Sequence, residues 1–441
     1  MGNYITFGEY NNLYKYIWVC ILLQLIFEYF FGTDFTEEMK YFKKYSFPKS
    51  VLIQEGFDYL GIFILSIFLL LYENSQNKNE NRLSESLEIN HTNSYKGKHK
   101  NPSLIFIDYE NQSSHFTSIF AVIILTIICD QLMNTFFIFN LKGLNYRMCE
   151  LFFVSFITLK MFKIPIYRHK KLAIAFILIL CCLMKNLSTY FRLIDDHKKR
   201  IFKIYGWIIP VGISSFILLS LLRAYTFCNI KGLLELKFIS ISKFFIVYGF
   251  FGSLICFIIS IIPTIIPCTN SNNINSFKNI EFICNVTDID YTHNSTIYYY
   301  DNYLVYFKSL WQNDRKLYNN ILFLFLNLFK IILSFLIKLY CVLIIKNLSP
   351  EYLICSNSIF YFISEVIDTI VCLFLNKFKY YKLYDILDEL CSILGTIFYL
   401  ELIEFNFCGL DFDLRRSIVI RSIREMKQTK TSGSIEVEED M

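Results

Sequence analysis

Charge is scarce in this chain. Asp, Glu, Lys and Arg make up 18% of its 441 residues, against about 25% in ordinary soluble domains. They are gathered into short stretches between long apolar runs. A water-soluble protein alternates polar and apolar faces along most of its helices. Here many runs of about 18 to 25 residues are apolar all round, the length a helix needs to cross a hydrocarbon core of ~30 Å. Glycine is sparse as well, at 15 residues, so close packing of membrane helices must draw on Ser, Cys and scattered Gly. The formal net charge of +5 is too small to signal a nucleic-acid partner. No basic segment with a cleavage site precedes the first apolar run, which is entered past Glu9 and Lys15. That run is expected to act as its own insertion signal.

The chemistry of catalysis is missing too. The sequence has no nucleophile–base set, no Gly-rich phosphate loop and no metal-ligand spacing. His91, His99, His115, His169, His197 and His293 all fall in links or at span edges. The 14 cysteines form no CxxC pair and no Cys/His box, and most lie inside apolar runs, where they behave as small hydrophobes. An intramembrane enzyme needs His/Asp or Cys/His clustered at membrane depth. The expectation is therefore a protein that is not an enzyme and carries no cofactor.

What is present is a succession of spans, at roughly 14–32, 51–72, 116–139, 148–165, 171–190, 204–226, 240–267, 318–345, 351–376 and 383–405. The fold class expected is an all-α polytopic membrane bundle of about ten helices, with the lipid bilayer as its first partner. The polar link 73–113 is low in hydrophobicity and reads as disordered. A loop over 268–316 is Asn- and Tyr-rich. It holds Cys268 and Cys284 and two glycosylation sequons, Asn285-Val-Thr and Asn294-Ser-Thr. Sequons and a paired-cysteine loop suit a lumenal or extracellular face, which puts the termini and the tail 406–441 on the cytosolic side. Two further sequons, at Asn90 and Asn111, would then stay unused. Lys and Arg are balanced between the two sides, so the positive-inside rule decides nothing. Whether the membrane is an endomembrane or the plasma membrane is left open.

The spans show an internal likeness. Residues 116–190 and 318–405 each contain a long apolar span, a short link, a span with small polar residues, a basic link and a final span. In each copy a Leu and a turn residue (Leu144-Asn145, Leu348-Ser349) precede a helix with a Ser on one face. The chain then divides into an N-terminal half, 1–226, and a C-terminal half, 227–405. Five spans per half require an in-plane pseudo-two-fold, because an odd number inverts the second copy. The stretch GLNY at 143–146, the basic turn Arg168-His169-Lys170-Lys171, the LSP opening of the ninth span and LGTIFYLE in the tenth resemble the drug/metabolite transporter superfamily. The cysteine-bearing loop after the seventh span is similar to that of its chloroquine-resistance-type branch. The resemblance implies ten spans in five-plus-five halves. It also implies exchange of a small organic metabolite, such as a nucleotide sugar, peptide or amino acid, by alternating access.

Charged groups within spans are expensive and usually face a cavity or a partner. Asp130, Gln131 and Asn134 form a polar patch in the third span, with 130 and 134 on one face. It reads either as a cavity-facing stripe or as an interhelical hydrogen-bond knot. Glu365 and Asp368 share a face of the ninth span, with Ser358 two turns earlier. A carboxylate pair in low dielectric suits proton coupling or cation binding, unless it simply pairs with Lys330 or Lys338 of the preceding span. Lys338 lies deep and is the best cation for an anionic solute. Glu150 and Arg223 lie near span ends, where snorkelling to the interface is the plain reading, and Glu401 and Glu404 read as interfacial. The expected function is a membrane carrier. The alternative is a non-transporting receptor or organelle scaffold in which these groups are structural.

Overall fold

Hydrocarbon tolerates a polypeptide only when its backbone hydrogen bonds are met internally, and the apolar runs meet them as α-helices. The computed structural model describes residues 5–7, 12–31, 52–88, 117–129, 148–162, 166–196, 208–235, 239–265, 269–270, 284–285, 296–299, 302–303, 317–374 and 380–405. In chain order the helices are α1 (Lys15–Phe31), α2 (Leu52–Glu88), α3 (Thr117–Cys129), α4 (Met148–Phe162), α5 (Arg168–Asp196), α6 (Ile208–Glu235), α7 (Ile241–Ile265), α8 (Leu317–Asn347), α9 (Pro350–Phe374) and α10 (Tyr381–Tyr399). By length and composition, five stretches can cross a membrane: Leu52–Ser75, Ser214–Glu235, Ile241–Ile265, Leu324–Asn347 and Pro350–Phe374. The chain is thus dominated by helices, several of them of membrane-spanning kind.

Short strands accompany the helices. β1 (Ile5–Phe7) pairs antiparallel with β5 (Ile403–Phe405), Ile5 facing Phe405. Within the expected loop 268–316, β4 (Thr296–Tyr299) lies between β2 (Thr269–Asn270) and β3 (Cys284–Asn285). Cys284 therefore sits in backbone register with Tyr299. Cys268 and Asn294 lie outside the described residues, as does the tail 406–441.

One expectation is corrected. The polar link begins as helix, not as disordered chain, because α2 runs on to Glu88. The physical reason is that neither Gly nor Pro occurs between Gly61 and Gly97. The Glu, Lys, Gln and Leu residues there are good helix formers, so nothing ends the hydrogen-bond ladder.

The helices form two compact units. The first comprises Met1–Leu25, Gly143–Cys228 and Asn347–Met441, and the second Ile26–Lys142 and Asn229–Lys346. In the second, α2 lies along α7 in the most extensive helix packing of the unit. Gly249 and Gly252 make that approach possible. A Cβ at Gly249 would meet the backbone of Phe63, and one at Gly252 the ring of Tyr59. Pro263 interrupts α7 near its end, where carbonyls lose their partners. The segment at 302–303 supplies donors: Asn302 Nδ2 donates to the Thr264 carbonyl at 3.2 Å. The Tyr303 hydroxyl donates to the Phe257 carbonyl at 2.6 Å.

The outer faces of these helices are apolar, the reverse of a water-soluble protein's surface, and inside them Ile, Phe and Tyr mix with small and polar residues. In α7 the buried set includes Ser242, Gly249, Gly252, Ser253, Cys256 and Ser260, whereas Leu254, Ile258, Ile261 and Ile262 are exposed. An apolar outer face with small and polar residues inside is what lipid selects.

Candidate functional site

The reversal is most complete in α10 of the first unit. Asp385, Asp388, Ser392, Thr396 and Tyr399 recur at spacings of three and four residues, so they line one helix face. That face is the buried one, with exposures of 3%, 2%, 1%, 2% and 2% in that order. Gly395 is the remaining buried residue of the helix, so no aliphatic side chain lies on this face. Leu383 and Leu390 point outward. A buried polar group must find hydrogen bonds or it costs free energy; neighbouring helices provide them for Asp385, Ser392 and Tyr399, while Asp388 Oδ1 has no hydrogen-bond partner among the described residues.

Three helices meet the stripe. From α5, the Ser188 hydroxyl donates to Asp385 Oδ1 at 2.6 Å, with Ser188 itself fully buried. From α9, Ser358 receives a hydrogen bond from the Ser392 hydroxyl at 3.1 Å. From α4, Ser155 Oγ lies 2.8 Å from the Tyr399 hydroxyl and 2.7 Å from the Leu151 carbonyl. Ser155 has one proton; if it serves the carbonyl, Tyr399 is left to donate. Thr396 turns its hydroxyl onto the backbone carbonyl of Ser392 at 2.9 Å. Below the polar stripe an apolar cluster of Leu151, Val154, Ala173, Ile177 and Ile354 fixes α4, α5, α9 and α10 together. Gly395 is required for this: a Cβ there would run into the Ile177 side chain.

The seam is rich in acid. Glu365 and Asp368, half-buried on α9, lie in the same unit as Asp385 and Asp388. The basic partner is Lys382, at the start of α10, whose ammonium pairs with Asp368 Oδ2. The alternative reading, in which Asp368 pairs with Lys330 or Lys338, is thereby corrected. Those lysines belong to the second unit. Lys382 is only 14 residues from Asp368 along the chain, so the pair closes at little loop entropy. Two buried hydroxyls on α9, Ser356 Oγ and Thr369 Oγ1, have no hydrogen-bond partner among the described residues. A buried hydroxyl left without a partner costs free energy.

Two ion pairs frame this unit. Arg223 Nη1 is 2.8 Å from Glu150 Oε1, with Glu150 only 5% exposed. The expected snorkelling of both is thereby corrected, since each finds its counter-charge across helices sooner than at the interface. His169 Nε2 is 2.8 Å from Glu401 Oε1. Glu401 is in the left-handed conformation, φ 60°, which L side chains rarely adopt.

The remaining expected site residues lie elsewhere. Asp130, Gln131 and Asn134 fall outside the described residues, just past the end of α3. Lys338 is in the second unit, its ammonium 4.4 Å from the centre of the Tyr59 ring and 5.7 Å from that of Tyr248. The residues missed from sequence were Ser188, Asp385, Asp388, Ser392, Thr396 and Tyr399. The three-four spacing of the α10 set was a usable signal, but Asp385 and Asp388 stand close after a lysine-rich link and pass for its solvated edge. No protein-family model matches the chain, and no curated protein is similar enough in sequence to match it.

Proposed function

We propose that this chain is a ten-span membrane carrier of five-plus-five inverted-repeat type that moves a small organic metabolite by alternating access. The observation that carries the reading is which helices keep company. α2 and α7, α3 and α8, α4 and α9, and α5 and α10 each share a compact unit, while α1 and α6 both divide their residues between the two units. One unit thus holds α2, α3, α7 and α8 and the other α4, α5, α9 and α10, so each set contains helices five places apart. The two most extensive helix packings among the described residues, α2 with α7 and α5 with α10, join helices five places apart. Such an arrangement is what two folded-alike halves with an odd number of spans would produce, and carriers use it to set a site at mid-membrane. The acid-rich seam of α9 and α10 is the site assigned to the solute or a coupling proton, with Asp385, Asp388, Glu365 and Asp368 as its ionisable groups.

A second reading has its own support. Asp385, Ser392 and Asp368 all have partners, as they would in the closed core of a receptor or scaffold. Uptake separates the two. Purified protein in proteoliposomes is offered a broad labelled metabolite panel, with Asp385→Asn, Glu365→Gln and Asp130→Asn as controls. Transport by the wild type that is lost in Asp385→Asn, while insertion and helicity are kept, supports the carrier. A wild type inert toward every solute in the panel would point to the scaffold.

A further inference from the structure

Two contacts fix the register of α9 against α10. The Ser392 hydroxyl donates to Ser358 at 3.1 Å, and the Lys382 ammonium pairs with Asp368. The contacts run in opposite directions along the two helices and are ten residues apart on each. The helices are therefore antiparallel, with no slip between the two levels. Seven residues, about two turns, lead from Ser358 forward to Glu365 and from Ser392 back to Asp385. Glu365 and Asp385 thus stand at one level. Seven residues also return a helix to within about 20° of the same direction. Each carboxylate therefore lies on the face of its helix that carries the serine contact, and the two face one another across the seam. Asp385 is 3% exposed and is held by the Ser188 hydroxyl at 2.6 Å. Thr369 lies one turn beyond Glu365 on the same face of α9. It is 6% exposed, and its hydroxyl has no hydrogen-bond partner among the described residues. Ser356, whose hydroxyl is also without one, comes two residues before Ser358 and so falls on the opposite side of the helix.

We propose that Glu365, Asp385 and Thr369 form a binding site for the primary ammonium group of a solute. An ammonium brings three N–H donors and no acceptor, which match two carboxylates and one hydroxyl oxygen. Two carboxylates opposed at membrane depth repel each other, and a cation between them removes that cost. The stranded Thr369 hydroxyl costs free energy as well, and an N–H donor relieves it. The seam already seats one ammonium in this way, that of Lys382 on Asp368. Across α9 and α10 the sequence holds six acids and a single base, Lys382, so a solute anion would meet like charge. On α5, Lys185 stands one turn before Ser188, at the level of Asp388 and not of Glu365. The inference names a substrate class for the seam assigned above and rests on the carrier reading for its role, but the binding itself is measured without transport.

The test is equilibrium binding of labelled methylamine, putrescine and phenethylamine to the full chain in detergent micelles, with tetramethylammonium and sodium as comparison cations. Saturable binding of at least one primary amine is expected, with neither comparison cation displacing it. Glu365→Gln and Asp385→Asn should lose it while circular dichroism shows their helicity kept. Thr369→Val preserves the shape of the side chain and removes its oxygen. It should be at least as stable as the wild type, yet bind the amine about tenfold more weakly, the size of one hydrogen bond to a charged group. A hydroxyl with a purely structural role would move stability and leave affinity alone. Ser253→Ala, in the second unit, should bind as the wild type does. No binding of any of the three amines, equal binding of tetramethylammonium, or Thr369→Val with wild-type affinity would each overturn the inference. Amine binding without uptake would retain it and remove the carrier reading. Uptake of an anionic or uncharged solute, untouched by Thr369→Val, would do the reverse.

Discussion

Replacing Gly395 by alanine tests how the polar seam is built. Two effects oppose each other. Alanine in a helix interior is favoured over glycine by roughly 0.5–1 kcal/mol. Against this, the new methyl group must enter space held by Ile177, whose Cγ1 is the nearest atom and whose side chain is 1% exposed. Ile177 is β-branched and stiff at χ1, so it cannot swing aside, and forcing a methyl into a packed core costs typically ~1–3 kcal/mol. The overlap wins, and Gly395→Ala should lose about 1–2 kcal/mol net. Ile177→Ala opens the space at its own cost, and the double variant should lose less than the sum of the singles by about 1–3 kcal/mol. The assay is reversible unfolding in mixed detergent micelles, followed by circular dichroism, for all four corners of the cycle. Gly395→Ala as stable as the wild type, with additive singles, would refute the reasoning. It would mean that α5 and α10 are not in contact at this level. The Ser188–Asp385 hydrogen bond, about three turns along the same pair of helices, would lose its support with it.

The Glu150–Arg223 pair should behave as a buried ion pair. Arg223→Ala is expected to cost ~3–5 kcal/mol by stranding Glu150, whereas the double variant Glu150→Leu/Arg223→Met should recover most of that loss. Equal losses in single and double variants, in the same unfolding assay, would show that the charges do not need each other. Sidedness is read from glycosylation. Expression in microsomes should give a glycan-dependent mobility shift that Asn285→Gln and Asn294→Gln together abolish. Modification at Asn90 or Asn111 would invert the orientation.

The positions of the helices were legible from sequence because runs that are apolar on every side have only one use for their length. Ser358, Glu365 and Asp368 were picked out by the same logic, as polar groups where polarity is costly. The extension of α2 to Glu88 was legible too, in the lack of Gly and Pro, but low hydrophobicity outweighed it. Partners were another matter. Asp368 has several lysines before and after it in sequence, and which one it meets depends on how α9 and α10 are rotated about their axes. A hydrophobic run has no preferred face, so composition cannot tell which side of a span turns inward.

That is the division between the two levels. The sequence by itself determined that the chain is helical, apolar and membrane-spanning in kind, because those follow from residue-by-residue transfer free energies that do not depend on neighbours. Only the tertiary structure decided that Asp385 meets Ser188 and that Lys382 meets Asp368. Those contacts depend on helix rotation and crossing, which are set by where small residues such as Gly61, Gly249 and Gly395 let two backbones approach.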